Sequence, residues 1–565
     1  MKRFAAPIAL LFLCTGPAPS QAAWTTDPLQ NTPVCLAPGN QRFPIMTPDG
    51  QGGAFIVFRD TRDSATALGD LYAQHLDSQG NLLWASGGVP VTTMPGEQFA
   101  AAPAIAVDGV GGAFVSFATG PNPQGGPFWV KLQHLDVQGA PLWGDSGIAV
   151  STTAGSQING RVLADGDGGV FISWSTDSRV LAQHFDANGA ALWTPDGVVV
   201  VLSTIPQSQQ MVSDGSGGLV LTWSDYRVVN ASDIYAQRLD AAGVPQWTTN
   251  GVPLSTEAGQ QLGLVMCSDG AGGAIAAWYT TTTSRVYARR INAGGVAFWI
   301  ANGVRLTTTE SGQVVPSIVS DGAGGAILAW QDLRSGGTYD GYLQRLDASG
   351  ARLWGDAGLP LCDAPGMQQS FRLMSDGEGG AVAAWTDNRV PGTEDIYAQR
   401  VGPDGSPQWP VNGVLVAGAS GSQRQPAMVP SGTGTIVAFA DYRGSSSDIY
   451  AQLISRDGQP GVVVTGVEPD ARSRFKAWLS ARPLPASSHI TFSFAPSAPG
   501  PFELSVFDVQ GRRLQSLQGR AEGAVRHELH WDLRDDSGRR VPTGLYLARL
   551  RQGDDVLLAR VVIAQ

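Results

Sequence analysis

Five times in this chain an aromatic residue is followed two positions on by a carboxylate and four positions on by a guanidinium: Asp60 and Arg62, Asp225 and Arg227, Asp332 and Arg334, Asp387 and Arg389, Asp441 and Arg443. Each pair follows an aromatic residue by the same step, as in Trp330-Gln331-Asp332-Leu333-Arg334. At a strand end such a pair can cap a turn and close a local ion pair. Repeated around a ring, it can also present a polar face to a sugar or a peptide, so these ten residues form the candidate ligand face. The pattern is broken at Phe117-Ala118-Thr119 and at Trp278-Tyr279-Thr280, which argues against a fully symmetric site.

Other chemistries are harder to assemble. His75, His134 and His184 share one slot, after Gln in AQHLD-like phrases, and Arg238, Arg290, Arg345 and Arg400 fill it in the next four repeats. That exchange predicts a partly exposed strand position, and equivalent sites on separate repeats stand too far apart to share a metal. Asp165-Gly166-Asp167-Gly168-Gly169 looks like the start of a calcium loop but lacks the third acidic ligand and the closing glutamate. Calcium is the one cofactor the residues admit, and turn geometry accounts for the anchor better. A sialidase-like centre would need an arginine cluster, a tyrosine nucleophile and a carboxylate pair, and Arg42-Phe43-Pro44 is a faint echo of its arginine motif. No Gly-x-Ser-x-Gly elbow, His-Glu-x-x-His pair or phosphate loop occurs. The expectation is therefore no catalytic residue and no resident cofactor.

The elements that position these residues come from a repeat. Asp-Gly-x-Gly-Gly begins at Asp49, Asp108, Asp165, Asp214, Asp269, Asp321 and Asp376, and a degenerate copy puts Ser431 in the Asp position. Steps of 49 to 59 residues between these anchors indicate a repeat architecture. Within one period, Ala326 to Trp330 is a short apolar run that suits a strand covered on both faces. Phrases such as Asp233 to Asp240 add a strand, Arg352-Leu353-Trp354 follows the Ala348-Ser349-Gly350 turn, and Pro316 to Val319 leads back to the next anchor. Four strands per repeat describe a propeller blade. Glycines at Gly322 and Gly325 supply the positive φ that tight hairpins need.

A tryptophan precedes every later anchor by 21 to 24 residues: Trp84, Trp143, Trp193, Trp247, Trp299, Trp354 and Trp409. Trp24 stands in the same relation to Asp49, whereas the last repeat has Gly461 to Val464 where its tryptophan would fall. Trp24 to Leu36 is therefore expected to complete the blade begun around Ser431. The result is an all-β, eight-bladed β-propeller of four-stranded blades, closed by the N-terminal strand and free of open edges.

Length and composition agree, since 565 residues exceed one ordinary domain and 72 glycines suit a turn-rich all-β chain. Lys2 and Arg3, the apolar run Phe4 to Cys14 and the small-residue site Ser20-Gln21-Ala22 read as a secretory signal peptide over 1–22. Bulky Leu13 weighs against lipid attachment at Cys14. No later stretch is long and apolar enough to span a membrane. Cys35 and Cys362 occupy one repeat position in different blades, too distant for a disulfide, and with Cys267 they read as buried small hydrophobes. The net charge of −11 makes nucleic acid a poor partner.

Residues 23–464 thus read as the propeller, 465–486 as a linker with a first edge strand, and 487–565 as a separate module. Its strands alternate like a β-sandwich from Ile490 to Phe494, Phe502 to Phe507, Leu545 to Leu550 and Val556 to Ile563. The phrases ELSVFDVQGRRLQSL (Glu503 to Leu517) and HWDLRDDSGRRVPTGLYLARL (His530 to Leu550) resemble the immunoglobulin-like domain of the flagellar hook-capping protein FlgD. The matching positions are Asp508, Gly511 and Arg512, then Trp531, Asp532, Asp535, Asp536, Gly538, Pro542, Gly544 and Tyr546. The resemblance implies an immunoglobulin-like C-terminal domain of exported bacterial proteins, where similar tails can serve type IX secretion. Arg482-Pro483-Leu484-Pro485 replaces the Asn-Pro-Phe-Asn-Pro-like box of the family, and the final residues lack its lysine.

Together these features lead to the expectation of an exported, secreted or surface-displayed binding protein whose partner is an extracellular glycan or protein and whose C-terminal domain assists export or attachment. The alternatives are a carbohydrate-active enzyme and a purely structural surface protein. Binding is expected on the face of the Asp-x-Arg loops, where Asp60 to Asp70, Ala118 to Pro127 and Asp387 to Asp395 vary while the Asp-Gly turns do not.

Overall fold

The computed structural model describes residues 24–461 and 478–563, apart from 64–68, 93–97, 121–126, 154, 203–206, 229–230, 483–488, 496–499, 509–511, 522–526 and 553–554. The expected signal peptide, Cys14, most of the expected linker and Gly511 lie outside the described residues. Every regular element among the described residues is a β-strand, and the chain divides into two compact units, Met1–Val463 and Val464–Gln565.

The first unit is a succession of eight four-stranded antiparallel sheets. Sheet six shows the plan: Gln313–Ser320, Ala326–Asp332, Asp340–Leu346 and Leu359–Cys362, each hydrogen-bonded to the next. Its second strand is buried along its whole length, as a run apolar on both faces requires. The outer strand differs from expectation. Arg352-Leu353-Trp354 makes only an isolated bridge, Leu346 to Arg352, and the fourth strand forms five residues beyond Trp354. The tryptophan backbone is drawn aside because Gln344, buried on the third strand, accepts from the Trp354 N–H and donates to the Gly355 carbonyl.

The first strand of each sheet lies against the first strand of the next, and that of sheet eight lies against that of sheet one. These strands are Gln41–Pro48, Gln98–Val107, Ile158–Ala164, Gln207–Ser213, Gln261–Ser268, Gln313–Ser320, Gln368–Ser375 and Gln423–Ser431. They converge on a common axis, which is the arrangement of a β-propeller. Apolar clusters fill the spaces between neighbouring sheets, for example Ile327, Ala329 and Leu343 of sheet six against Phe371, Ala383 and Trp385 of sheet seven.

Sheet eight takes three strands from the C-terminal end of the unit and its outer strand, Thr32–Cys35, from the N-terminal end. The recurring tryptophans staple each sheet to the next. The indole N–H of Trp299 donates to the Ala348 carbonyl at 3.1 Å, and a Cβ on Gly350 would stand 2.7 Å from the same ring. Trp24 repeats this contact across the chain ends, donating to Ser78 of sheet one at 2.9 Å with Gly80 against its ring. Gln452 of sheet eight donates to the Thr25 carbonyl and accepts from Asn31, so the N-terminal segment is held by the residue type that holds the other outer connections.

The second unit holds a three-stranded sheet, containing Trp478–Arg482, Ile490–Ala495 and His527–Trp531, and a four-stranded sheet, containing Gly500–Asp508, Arg513–Ala521, Gly544–Gln552 and Asp555–Ile563. Ile490, Phe492 and Trp531 of the first share one core with Leu504, Val506 and Leu550 of the second. The unit is a β-sandwich.

Candidate functional site

All five Asp-x-Arg pairs form, and each stays within its own sheet. In sheet six the Arg334 Nη2 donates to Asp332 Oδ2 at 2.7 Å, while the Arg334 N–H caps Oδ1 at 2.9 Å. Equivalent ion pairs join Arg62 to Asp60, Arg227 to Asp225, Arg389 to Asp387 and Arg443 to Asp441. All five aspartate side chains are 0% exposed. Trp330 also donates to Asp332, and Ser311 does so at 2.5 Å. Burial alone would push the Asp332 carboxyl up, but the hydrogen bonds from Arg334, Ser311 and Trp330 outweigh it and hold it below the usual aspartate value. Burial likewise opposes the charge on Arg389, and Asp387 overcomes it and raises the guanidinium above its ordinary value.

Each arginine is also stacked on the tyrosine of the third strand, with Arg334 over Tyr342 at 3.6 Å and Arg443 over Tyr450 at 4.0 Å. Each donates to a carbonyl of the connection before the outer strand, as from Arg62 to Gly87 and Arg334 to Ala357. In sheet eight that carbonyl belongs to Gln30, so Arg443 grips the closing N-terminal segment. The carboxylates of the candidate ligand face are therefore committed to holding the outer strands.

The His/Arg slot is partly exposed, as expected, at His184, Arg238, Arg290, Arg345 and Arg400, and buried at His75 and His134. In every case it pairs with the Asp-Gly anchor of its own sheet. His75 meets Asp49 at 3.1 Å, His134 meets Asp108 at 2.9 Å and His184 meets Asp165 at 2.8 Å. Arg238, Arg290, Arg345 and Arg400 pair with Asp214, Asp269, Asp321 and Asp376. The other oxygen of each aspartate accepts the turn N–H groups, as Asp321 Oδ1 does from Ala323 and Gly325. In the degenerate repeat both partners change together, since Ser431 replaces the aspartate and Leu453, fully buried, replaces the cation. Asp165 is engaged in the same way by Asp167 N–H, Gly169 N–H and His184, which occupies the carboxylate of the calcium-like loop. No group of three His, Cys, Asp or Glu side chains is gathered to hold a metal among the described residues.

Cys35, Cys267 and Cys362 are free thiols. Burial pushes the Cys35 thiol up to about 11 and Cys362 up to about 12.

The innermost strands carry features that residue spacing did not reveal. Seven of the eight take one extra residue against the partner strand, for example between Arg42 and Ile45 or Gln369 and Arg372. The first bulge residue has a left-handed backbone in seven sheets: Phe43, Asn159, Ser208, Gly263, Val315, Ser370 and Gln425. Bulges re-aim side chains, and a left-handed β-branched residue such as Val315 stores strain. Phe43 and Val315 are exposed, whereas Pro44 and Pro316 beside them are buried. The ring of bulges lies at the Asp-x-Arg end of the axis, because Gln41 two residues before Phe43 pairs with Asp60. There Tyr442 lies between two guanidiniums, Arg42 and Arg424, each 5.4 Å from its ring, and Arg59 stands over Phe43 at 5.0 Å.

The geometry defines the class, an all-β repeat protein built on a β-propeller. No family model matches the chain, and no curated protein matches it. Similar solved structures include PorZ, described as an essential bacterial surface component of the type-IX secretion system of Porphyromonas gingivalis, at 12% identity over 91% of this chain and 69% of that one with a TM-score of 0.34. The β-propeller domain of the Trilobed protease from Pyrococcus furiosus is 10% identical over 67% of this chain and 97% of its own, with a TM-score of 0.36. A Hadza microbial sialidase is 12% identical over 62% and 63%, with a TM-score of 0.31.

Proposed function

We propose that this chain is an exported, non-catalytic binding or display protein: an eight-bladed propeller closed by its N-terminal strand, followed by an immunoglobulin-like module that assists export or attachment. One observation carries the binding reading. At the Asp-x-Arg end five of the eight sheets share the same clamp, while the bulge residues change chemistry from each sheet to the next. A constant scaffold under variable residues is how recognition surfaces are built. The ligand face is accordingly formed by the bulge residues and the 388–394 loop, with residues 64–68 and 121–126 of the other long loops outside the described residues. The partner class is an extracellular glycan or protein.

The innermost strands contain no Asp or Glu, which favours binding over a glycoside hydrolase centre, since that chemistry uses two carboxylates. For the C-terminal module, Tyr546 OH donates to the Pro542 carbonyl at 2.6 Å, a bond of the kind that fixes the tyrosine corner of immunoglobulin-like sandwiches.

The test pairs glycan and peptide arrays with a chain whose 388–394 loop is shortened to the length of the 281–284 turn of sheet five. Array signal that is lost on shortening supports the reading; full signal from the shortened chain, or none from the intact one, overturns it. Fractionation of the producing cells with intact-mass measurement addresses the module: a surface-bound chain cut near residue 464 would make it a sorting signal.

A further inference from the structure

The eight innermost strands carry four arginines, Arg42, Arg161, Arg372 and Arg424, with no lysine, aspartate or glutamate, in a chain of net charge −11. A positive excess on the strands nearest the axis is not what a uniformly acidic surface would produce. Two of the four stand at one level. Arg161 faces Ser173 and Arg372 faces Ala384, each being the first paired residue after the bulge of its own strand. Their sheets are the third and the seventh, four steps apart in a ring of eight, so the two strands stand on opposite sides of the axis.

Neither arginine forms an ion pair among the described residues. Arg161 Nε donates to the Gln209 carbonyl at 3.3 Å and Arg372 Nη1 to the Phe371 carbonyl at 3.3 Å, which leaves most of their N–H groups uncommitted. The contrast with the rest of the unit is sharp: the arginines of the clamps and of the anchor slot all pair with a buried aspartate. Burial alone lowers both groups from their ordinary value, with no carboxylate to offset it. Arg372 is nevertheless exposed. Both properties hold for a side chain reaching into a narrow channel along the axis. The equivalent residues of the other six sheets are Ile45, Ala104, Gln210, Val265, Ser317 and Ala427, all neutral and none bulkier than a glutamine or an isoleucine. Ile45 and Val265 pack into the apolar clusters between sheets and Ser317 accepts the Leu373 N–H, so Arg161 and Arg372 are the two charged groups at this level.

A guanidinium without a carboxylate partner keeps a planar fork of N–H donors free, and that fork fits an oxyanion in two-point geometry. We propose that the axial channel of the propeller is a binding site for an oxyanion group, a carboxylate, sulfate or phosphate, held between Arg161 and Arg372. The site deepens the binding reading by naming the charge of what is bound, and it rests on the ring and not on the loops.

Isothermal titration of the full-length mature chain with sodium sulfate, inorganic phosphate and glucuronate, at ionic strength held constant with chloride, tests it. Saturable binding of at least one anion is expected, weakened tenfold or more by Arg161→Gln and by Arg372→Gln alike, and the tightest of the three names the oxyanion. Removing an unpaired charge should leave the unliganded Tm equal or higher. If a glutamine variant misfolds, Arg372→Lys decides instead: it keeps the charge and should keep measurable binding, whereas a folded lysine variant with none overturns the charge argument. No saturable heat with any of the three anions, or affinities unchanged in both glutamine variants, overturns the site. Shortening the 388–394 loop should leave anion binding intact, so failure of the loop reading and failure of this one are told apart.

Discussion

Asp321 has two tasks, one for each carboxylate oxygen. Oδ1 takes the Ala323 and Gly325 N–H groups and shapes the hairpin, and Oδ2 takes Arg345 from the third strand. Replacing it by serine leaves a half-capped turn and an arginine with no counter-charge in a largely buried place. The expected cost is about 2 to 4 kcal/mol. The eighth repeat already contains the compensated form, Ser431 with Leu453. Asp321→Ser combined with Arg345→Leu should therefore cost less than the two single changes added together. A double-mutant cycle by chemical denaturation measures the coupling, and strict additivity would mean that the pair does not act as a unit. The same anchors set the acid limit. Burial opposes ionisation of Asp49, Asp108 and Asp165, but the paired histidine and the turn N–H groups outweigh it and hold each carboxyl below 3.8. With the folded value below the unfolded one, their contribution is complete above pH 3.8 and is lost as pH falls through the lower folded value. Thermal midpoints should drop on acidification below 3.8, and Asp165→Asn should lower the neutral-pH midpoint while making the acid decline shallower.

At the scale of the hairpin, three glycines of one repeat are required for different reasons, and alanine substitutions should rank accordingly. Gly322 has φ +74° with open space around the missing Cβ, so Gly322→Ala carries only the left-handed backbone penalty, about 1 kcal/mol. Gly350 has φ +86° and its Cβ would stand 2.7 Å from the Trp299 ring, so Gly350→Ala adds a displaced staple and should cost about 2 to 3 kcal/mol. Gly325 has no positive φ, but its Cβ would fall 2.1 Å from the Leu346 carbonyl, within hard contact of a backbone that cannot retreat without breaking the sheet. Gly325→Ala should be the most damaging of the three, and an order of denaturation midpoints other than 322, 350, 325 from highest to lowest would contradict it. Sequence reading reached the anchors because Asp-Gly-x-Gly-Gly is contiguous, yet it credited Gly325 with a turn conformation where the reason is close approach. It missed the pairing of Asp321 with Arg345 because 24 residues separate them and only strand register brings them together. The bulges were hidden for another reason: Phe43, Asn159, Ser208, Val315 and Gln425 share a conformation without sharing a residue type. The outer strand was misplaced by a few residues because Trp354, the most visible residue of the segment, is held by Gln344 and not by a strand partner.

At the scale of the molecule the tryptophan rhythm was the most informative signal, because a constant spacing that runs off one end of a chain and reappears at the other implies that the ends meet. Its physical content is a bond that crosses the join. Trp24 stands to Ser78 and Gly80 as Trp299 stands to Ala348 and Gly350, and Thr32–Cys35 supplies sheet eight with its outer strand. Arg443, Gln452 and Asn31 add side-chain bonds across the same join. A chain that starts at residue 37 should therefore lose the edge of sheet eight and the staple to sheet one together, exposing the buried faces of Ala451 and Leu453 and an unpaired strand prone to association. Hydrogen exchange should rise in Asp448–Ser455 and in the strands of sheet one, while sheets four and five keep their protection. A synthetic peptide covering Trp24 to Leu36 should restore protection in both places when added in trans, and the same peptide with Trp24→Ala should dock on sheet eight but leave sheet one less protected. Restoration confined to sheet eight with the intact peptide would mean that the strand is an edge cap and that the ring does not depend on it. Recovery at both sites, reduced at sheet one by the tryptophan change, would mean that one short segment both completes the last sheet and fastens it to the first.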